Sequence, residues 1–259
     1  MRFLWFLLLC SHLVFAKDIM TTYKVSFGIF GQIGIAKISL HTGEGKYKIV
    51  VDAKSTGFVA FISGNREDIY TSEGYIKDKT LVPLKYTKTV INEVNIGDPF
   101  SGDNRIAIKH YTLIFSFDHK AKKVTIKKIR ELDGKKTEEK ENSKFYTDND
   151  ILSLFFNFKN LFTGDKIEKH LILHAIGVND KNGKINIYPL EEKNLKVLTK
   201  ENLEDLLFAK VVLDNKIFSV NKGELYLGLD KDGICKVAVL KDVVFFGDIR
   251  GELIEKNIR

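Results

Sequence analysis

Cysteine, proline and tryptophan are scarce in this chain: two, three and one, respectively, in 259 residues. With only Cys10 and Cys235, the disulfide framework that staples many small secreted domains is excluded. The sequence has no G-x-S-x-G elbow, no G-x-x-x-x-G-K-S/T phosphate loop and no H-E-x-x-H metal helix. Self-similarity at a period of about 20–50 residues is absent as well, which rules out a solenoid or propeller. No low-complexity linker divides the chain, and no apolar run is long enough to span a bilayer as a helix.

What is present describes an ordinary folded protein, with 44% hydrophobic and 29% charged residues. The first sixteen residues have the layout of a secretory leader. Arg2 is followed by the apolar run Phe3–Leu9, and Val14-Phe15-Ala16 ends on a small residue before Lys17. Cleavage after Ala16 is expected, leaving 17–259 as one β-rich domain in the periplasm. A lipid-modified Cys10 is disfavoured because bulky Leu9 precedes it. Cleavage would also leave Cys235 without an internal disulfide partner. Loss of Arg2 would take the formal charge from +7 to +6. Much of that excess lies in Lys120–Lys144, where Lys and Glu are interspersed as on a solvated face. Nucleic acid is therefore not an expected partner.

Most of the remainder alternates with the period of a strand. In Lys46–Lys54, Tyr47, Ile49, Val51 and Ala53 share one face. Arg66–Tyr75 and Leu81–Val90 follow, with Pro83 suggesting an edge position or an irregular start. Ile91–Lys109 lacks periodicity and reads as a long loop. Tyr111–Phe117 and Val124–Leu132 pair across Asp118–Lys122, and Asp133-Gly134 is a strong turn signal. Lys169–Ile176 and Lys184–Tyr188 form a further hairpin. Thr199 can cap a short helix at Lys200–Phe208. Lys210–Val220, Gly223–Leu229, Ile234–Leu240 and Val243–Ile254 complete the strands.

One segment breaks this pattern. Asp148–Phe162 places apolar side chains in nearly every direction around a helix, so the helix must be enclosed. Thr147 or Asp148 can cap its start. The predicted fold is mainly β: a large curved or spiralling antiparallel sheet, barrel-like, enclosing one central apolar helix.

The candidates for chemistry are weak. His170 and His174 lie on one face of a strand, about 13 Å apart by strand rise, too far for one zinc. The Asp180-Lys-Asn-Gly and Asp230-Lys-Asp-Gly stretches place Gly fourth, whereas a calcium loop needs it sixth; both read as turns. Cys235 sits in an alternating strand without an activating neighbour and reads as a buried, inert thiol. No catalytic residue, metal site or cofactor is expected, and the protein is read as non-enzymatic. What remains is an excess of aromatics: Phe58, Phe61, Phe155, Phe156, Phe158, Phe245 and Phe246. They either fill the core or line a cavity for an acyl chain or peptide.

Several stretches, in order, carry a resemblance. They are Tyr23-Lys-Val-Ser-Phe with its following glycines, Ser55-Thr-Gly-Phe-Val-Ala-Phe and Asp78-Lys-Thr-Leu-Val-Pro-Leu-Lys-Tyr86. Asp150-Ile-Leu-Ser-Leu-Phe-Phe156, Lys222-Gly-Glu-Leu-Tyr-Leu227 and Phe246-Gly-Asp-Ile-Arg-Gly-Glu-Leu253 complete the set. With these the chain resembles the domain of unknown function 3108 family of exported bacterial envelope proteins; Ile91–Lys109 and Asn194–Leu207 depart from its pattern. The resemblance implies an extended, spiralling sheet similar in outline to periplasmic lipoprotein carriers, and it transfers no catalytic residue. The expected partner is a lipid or lipoprotein acyl chain; an envelope protein recruited to a scaffold is the alternative.

Overall fold

The computed structural model describes residues 17–98, 100, 102–161, 167–178, 182–198, 206–212, 223–243 and 247–259. Eight strands come first: β1 (Lys17–Phe27), β2 (Gln32–Gly43), β3 (Lys46–Ser55), β4 (Glu67–Lys77), β5 (Thr80–Asn95), β6 (Ile106–Asp118), β7 (Lys123–Leu132) and β8 (Lys135–Asn142). Six more follow: β9 (Leu171–His174), β10 (Lys184–Pro189), β11 (Leu207–Val212), β12 (Glu224–Leu229), β13 (Cys235–Val243) and β14 (Gly247–Ile258). Among the described residues the α-helices are α1 (Gly57–Ser63), α2 (Ile151–Asn157) and α3 (Glu192–Leu198).

All strands belong to one antiparallel sheet in the order β8-β7-β6-β5-β4-β3-β2-β1-β14-β13-β12-β11-β10-β9. Tight turns set the registers. At Asp133-Gly134 both residues have positive φ, 50° and 72°, the hairpin geometry that Asp-Gly adopts readily. The sheet is not closed: β8 and β9 are its two edges. Those edge strands are neighbours in sequence, so the segment between them must cross from one side of the sheet to the other. That segment contains α2. The stretch that is apolar in most directions is the one the topology carries through the interior.

Strands from both wings of the sheet reach this short helix. Leu154 and Phe158 pack with Tyr23, Ile187, Val211 and Leu229, while Phe156 and Leu152 pack beside Ile19, Tyr47, Ile49 and Leu81. A sheet whose distant strands meet one helix is curved around it. Burial along the helix differs from a simple apolar reading, however. Ser153 and Asn157 are buried, Ile151, Leu152, Phe155 and Phe156 are half-buried, and Leu161 is exposed. The cap also differs: it is Asp150, whose carboxylate accepts from the backbone N–H groups of Leu152 and Ser153. Thr147 instead donates to the carbonyl of His174, and Asp148 pairs with Tyr146 and Lys122.

Further differences have local causes. Pro83 is not at an edge, because β5 lies between β4 and β6; it sits opposite Gly74 where the register shifts, which is the irregular start. The loop expected over Ile91–Lys109 is shorter, since Asn92 to Asn95 pair in register with Lys109 to Ile106. Gly57–Ser63 is helical. Leu207 and Phe208, placed at the end of a helix by the Thr199 cap, belong to β11. Residues 199–205 of that expected helix lie outside the described residues, as do the leader, 213–220 of the expected Lys210–Val220 strand, and Phe162. The α3 helix was not anticipated.

Candidate functional site

Alternation places Leu40, Ile38 and Ala36 of β2 on the helix-facing side of the sheet, and their partners in the next strands share that side. Three cross-strand rows result. The first runs Leu40, Ile49, Ser72, Tyr86, Phe115, Ile126 and lies at the level of α2. Its first four members are buried. The second runs Ile38, Val51, Tyr70, Lys88, Leu113, Lys128, and every member is half-buried. The third runs Ala36, Ala53, Asp68, Val90, Tyr111, Arg130. The helix thus covers one part of the concave face and leaves an apolar floor beside it.

Cations stand over the aromatic rings of that floor. Lys88 Nζ lies 5.5 Å from the Tyr70 ring centroid, and the Arg130 guanidinium lies 5.6 Å from that of Tyr111. Both are directly opposed pairs in adjacent strands, so strand pairing itself creates the contact. The Tyr70 hydroxyl is pushed up to about 12, by burial first and then by the carboxylate of Asp68. Such a floor offers apolar contact along its length and positive charge near its margin.

A buried polar node anchors the covered part. Ser72 Oγ donates to Asp150 Oδ2 at 2.6 Å, and the Tyr47 hydroxyl bonds Ser72 Oγ at 2.9 Å. Ser153 Oγ is 3.1 Å from the Asp150 nitrogen, closing a capping box. Asp150 has no exposure, and burial raises its carboxyl to about 6 against the bonds that favour its charged form. The Asn157 side chain accepts from Leu81 N at 2.8 Å and donates to Leu81 O at 2.9 Å, supplying bonds a neighbouring strand would make. The node is satisfied within the protein and leaves no group aimed at a ligand, so its role is to position α2.

A second polar group lies near the β6–β7 turn. His119 Nε2 donates to the Pro83 carbonyl at 2.6 Å, its Nδ1 lies 2.7 Å from the Tyr146 hydroxyl, and that hydroxyl donates to Asp148 at 2.6 Å. Lys122 joins Asp148 at 3.2 Å, and the imidazole stacks on Phe117. An open groove of about 770 Å³ crosses β2–β5 and is lined by His41, Lys48, Glu73, Leu84 and Lys85. Within it Lys85 Nζ lies 3.1 Å from Glu73.

The aromatics singled out from sequence do not converge. Phe155, Phe156 and Phe158 lie at α2, with Phe158 buried and the other two half-buried. Phe155 packs beside Ala36 and Ile38, at the border of the open floor. Phe58 and Phe61 are on the outside, on α1, 63% and 82% exposed. Phe245 and Phe246 lie outside the described residues. His170 stacks on Tyr188 and bonds Asn186, whereas His174 bonds the Asn182 carbonyl. Among the described residues, no three His, Cys, Asp or Glu side chains gather as a metal site would require. Asp230 accepts from the Asp232 and Ile234 nitrogens, and Lys256 bridges both carboxylates, which makes this stretch a turn. Burial pushes the Cys235 thiol up to about 12. Sequence reasoning missed Tyr70, Lys88, Tyr111 and Arg130. Their signal was cross-strand register, which a single strand's alternation does not contain.

No protein-family model matches the chain, and no curated protein does. Among solved structures, it is similar to a β-barrel-like protein of domain of unknown function 1849 from Brucella abortus. The identity is 10%, the match covers 94% of this chain and 98% of that one, and the TM-score is 0.47.

Proposed function

We propose that the chain is an exported, non-enzymatic periplasmic protein that holds a lipid or acyl chain against the concave face of its sheet and so supports the cell envelope. The observation that carries this reading is the half-buried floor of Ile38, Val51, Tyr70, Val90 and Leu113 beside α2. Apolar residues on the inner face of a curved sheet, covered only in part by their own helix, form a concave surface suited to an apolar chain. Lys88, over the Tyr70 ring in the second row, suits an anionic head, whereas Lys128 and Arg130 are already paired with Glu141 and Glu139. The leader-like first sixteen residues and the resemblance to the domain of unknown function 3108 family support the compartment and the envelope role.

The direct test is titration of a fluorescent fatty acid into the purified protein. Saturable binding is expected, and Val51→Glu is expected to weaken it at least about tenfold by placing a carboxylate between Ile38 and Tyr70, against the chain. Absence of binding, or equal binding by the variant, would reject the reading. Protein recruitment through a strand edge is the alternative, favoured by Ile172 on edge strand β9, which is 50% exposed. A stoichiometric protein partner in pull-downs, with no bound lipid, would support it.

A further inference from the structure

Hairpin ends alternate along this sheet, and the two ends of the strands differ in chemistry. The β2–β3, β4–β5 and β6–β7 turns carry Glu44, Lys77-Asp78-Lys79 and Asp118 with Lys120 and Lys122. The connections at the opposite end are different. Gly28–Gln32, between β1 and β2, and Thr56–Asn65, between β3 and β4, contain no charged residue at all. They sit side by side: Thr56 N donates to Ile33 O at 2.8 Å, and α1 packs along β2 and β3. The end of β5 is joined to them where Glu93 N donates to Gly64 O at 2.7 Å, and the β5–β6 connection beyond it carries Asp98, Asp103 and Arg105.

These tips present large apolar side chains to solvent. Phe58, Phe61 and Ile62 of α1 are 63%, 82% and 63% exposed, Phe30 is 39% exposed, and α1 has no buried residue. Immediately behind them stands a collar of opposed charges. Lys54 pairs with Glu67 at 3.1 Å and Arg66 with Asp68 at 2.7 Å, while Arg105 pairs with Asp103 at 2.8 Å within the β5–β6 connection itself. The β1–β2 and β3–β4 tips therefore project an uncharged layer backed by a layer in which cation and anion are matched, and the charges of the neighbouring β5–β6 connection include a matched pair as well.

We infer that this end of the sheet docks on the surface of a lipid bilayer, with Phe30, Phe58, Phe61 and Ile62 entering the headgroup–acyl boundary. The charge pattern selects the occupant. A zwitterionic headgroup layer over hydrocarbon repeats the order of the protein's own layers, apolar outermost and paired charge behind. Separate knobs, spaced roughly 10 Å apart by two strand widths, fit a fluid plane better than one complementary protein pocket. The open floor rows lie on this side of α2, so docking would also set that floor toward the membrane. The docking itself does not depend on a ligand occupying the floor.

The test uses the processed chain 17–259 with Phe61→Trp, which carries one tryptophan, at the tip. With phosphatidylcholine vesicles, its emission is expected to shift to the blue and to become protected from an aqueous quencher. Adding phosphatidylglycerol is expected to change the affinity by less than about threefold, given the paired collar. Combining Phe58→Ser and Ile62→Ser with the probe is expected to lower partitioning at least about tenfold while leaving thermal melting unchanged, because α1 buries nothing. Emission that stays unshifted at vesicle saturation would overturn the proposal. So would a shift that appears with protein concentration alone, which would mark a second copy as the occupant, or one that requires anionic lipid.

Discussion

Asp150 ties three things together: it caps α2, receives Ser72 from β4, and lies 2.6 Å from that hydroxyl with no exposure to water. Its carboxyl, raised by burial to about 6 from an ordinary 3.8, binds its proton more tightly in the folded chain than in the unfolded one. The stability this group contributes is therefore fully present below about pH 4 and is lost as the pH climbs through about 6. The span corresponds to about 3 kcal/mol. Asp150→Asn keeps a capping oxygen and removes the titration. Urea melts at pH 4.5, 5.5 and 7 are expected to show a flatter pH dependence for the variant and no loss of stability at pH 7. Asn157 makes a different contribution, because it alone answers the Leu81 N–H and carbonyl that α2 faces. Asn157→Ala strips both buried groups of their partners and is expected to cost about 3 kcal/mol in the same melts. Sequence offered Thr147 or Asp148 as the cap, and Asp150, of the same chemistry, takes that place. The choice among them is made by Ile176, distant in sequence, whose backbone bridges to Asp150 and accepts from Ile151 N.

At the scale of elements, strict alternation made β3, β4, β6 and β7 legible, and Asp133-Gly134 made the β7–β8 hairpin legible. The helical stretch was legible as enclosed, because no face of it could be left in water. The extended β5 and β6 were harder, since 91–95 and 106–109 gain strand character only from pairing with each other. The candidate site was legible only at α2: Phe155 borders the floor, but the floor itself is assembled from single residues of six strands. The edge strand β8 shows what composition does at an edge. All eight of its residues are exposed, and Lys135–Asn142 reads KKTEEKEN, with Lys127, Lys128 and Arg130 of β7 pairing to Glu138, Glu141 and Glu139. Charge along an open edge discourages pairing with another chain. Replacing Lys136, Glu138 and Lys140 together by Val or Thr is expected to leave β7 pairing intact and to produce dimers or larger species. Size-exclusion chromatography across protein concentration checks this outcome.

Across the whole molecule, the sheet consists of two wings, β1–β8 and β9–β14, in which every strand pairs with its neighbour in the chain. The one exception is the seam where β1 meets β14, and there Asp18 and Arg259 exchange backbone bonds at 2.9 Å in both directions. The first wing can zip up hairpin by hairpin from local contacts alone, whereas the seam needs nearly the entire chain to have been made. Such a long-range closure is the slow event in a fold otherwise rich in near-neighbour pairing. The two ends of the described chain meet in the middle of the sheet rather than at its rim. A circular permutant that joins Arg259 to Lys17 through a short linker, and opens at the exposed Asp133-Gly134 turn, would turn that late closure into an ordinary hairpin. It is expected to refold faster than the parent in stopped-flow measurements while reaching the same sheet, and equal or slower refolding would place the rate-limiting step elsewhere.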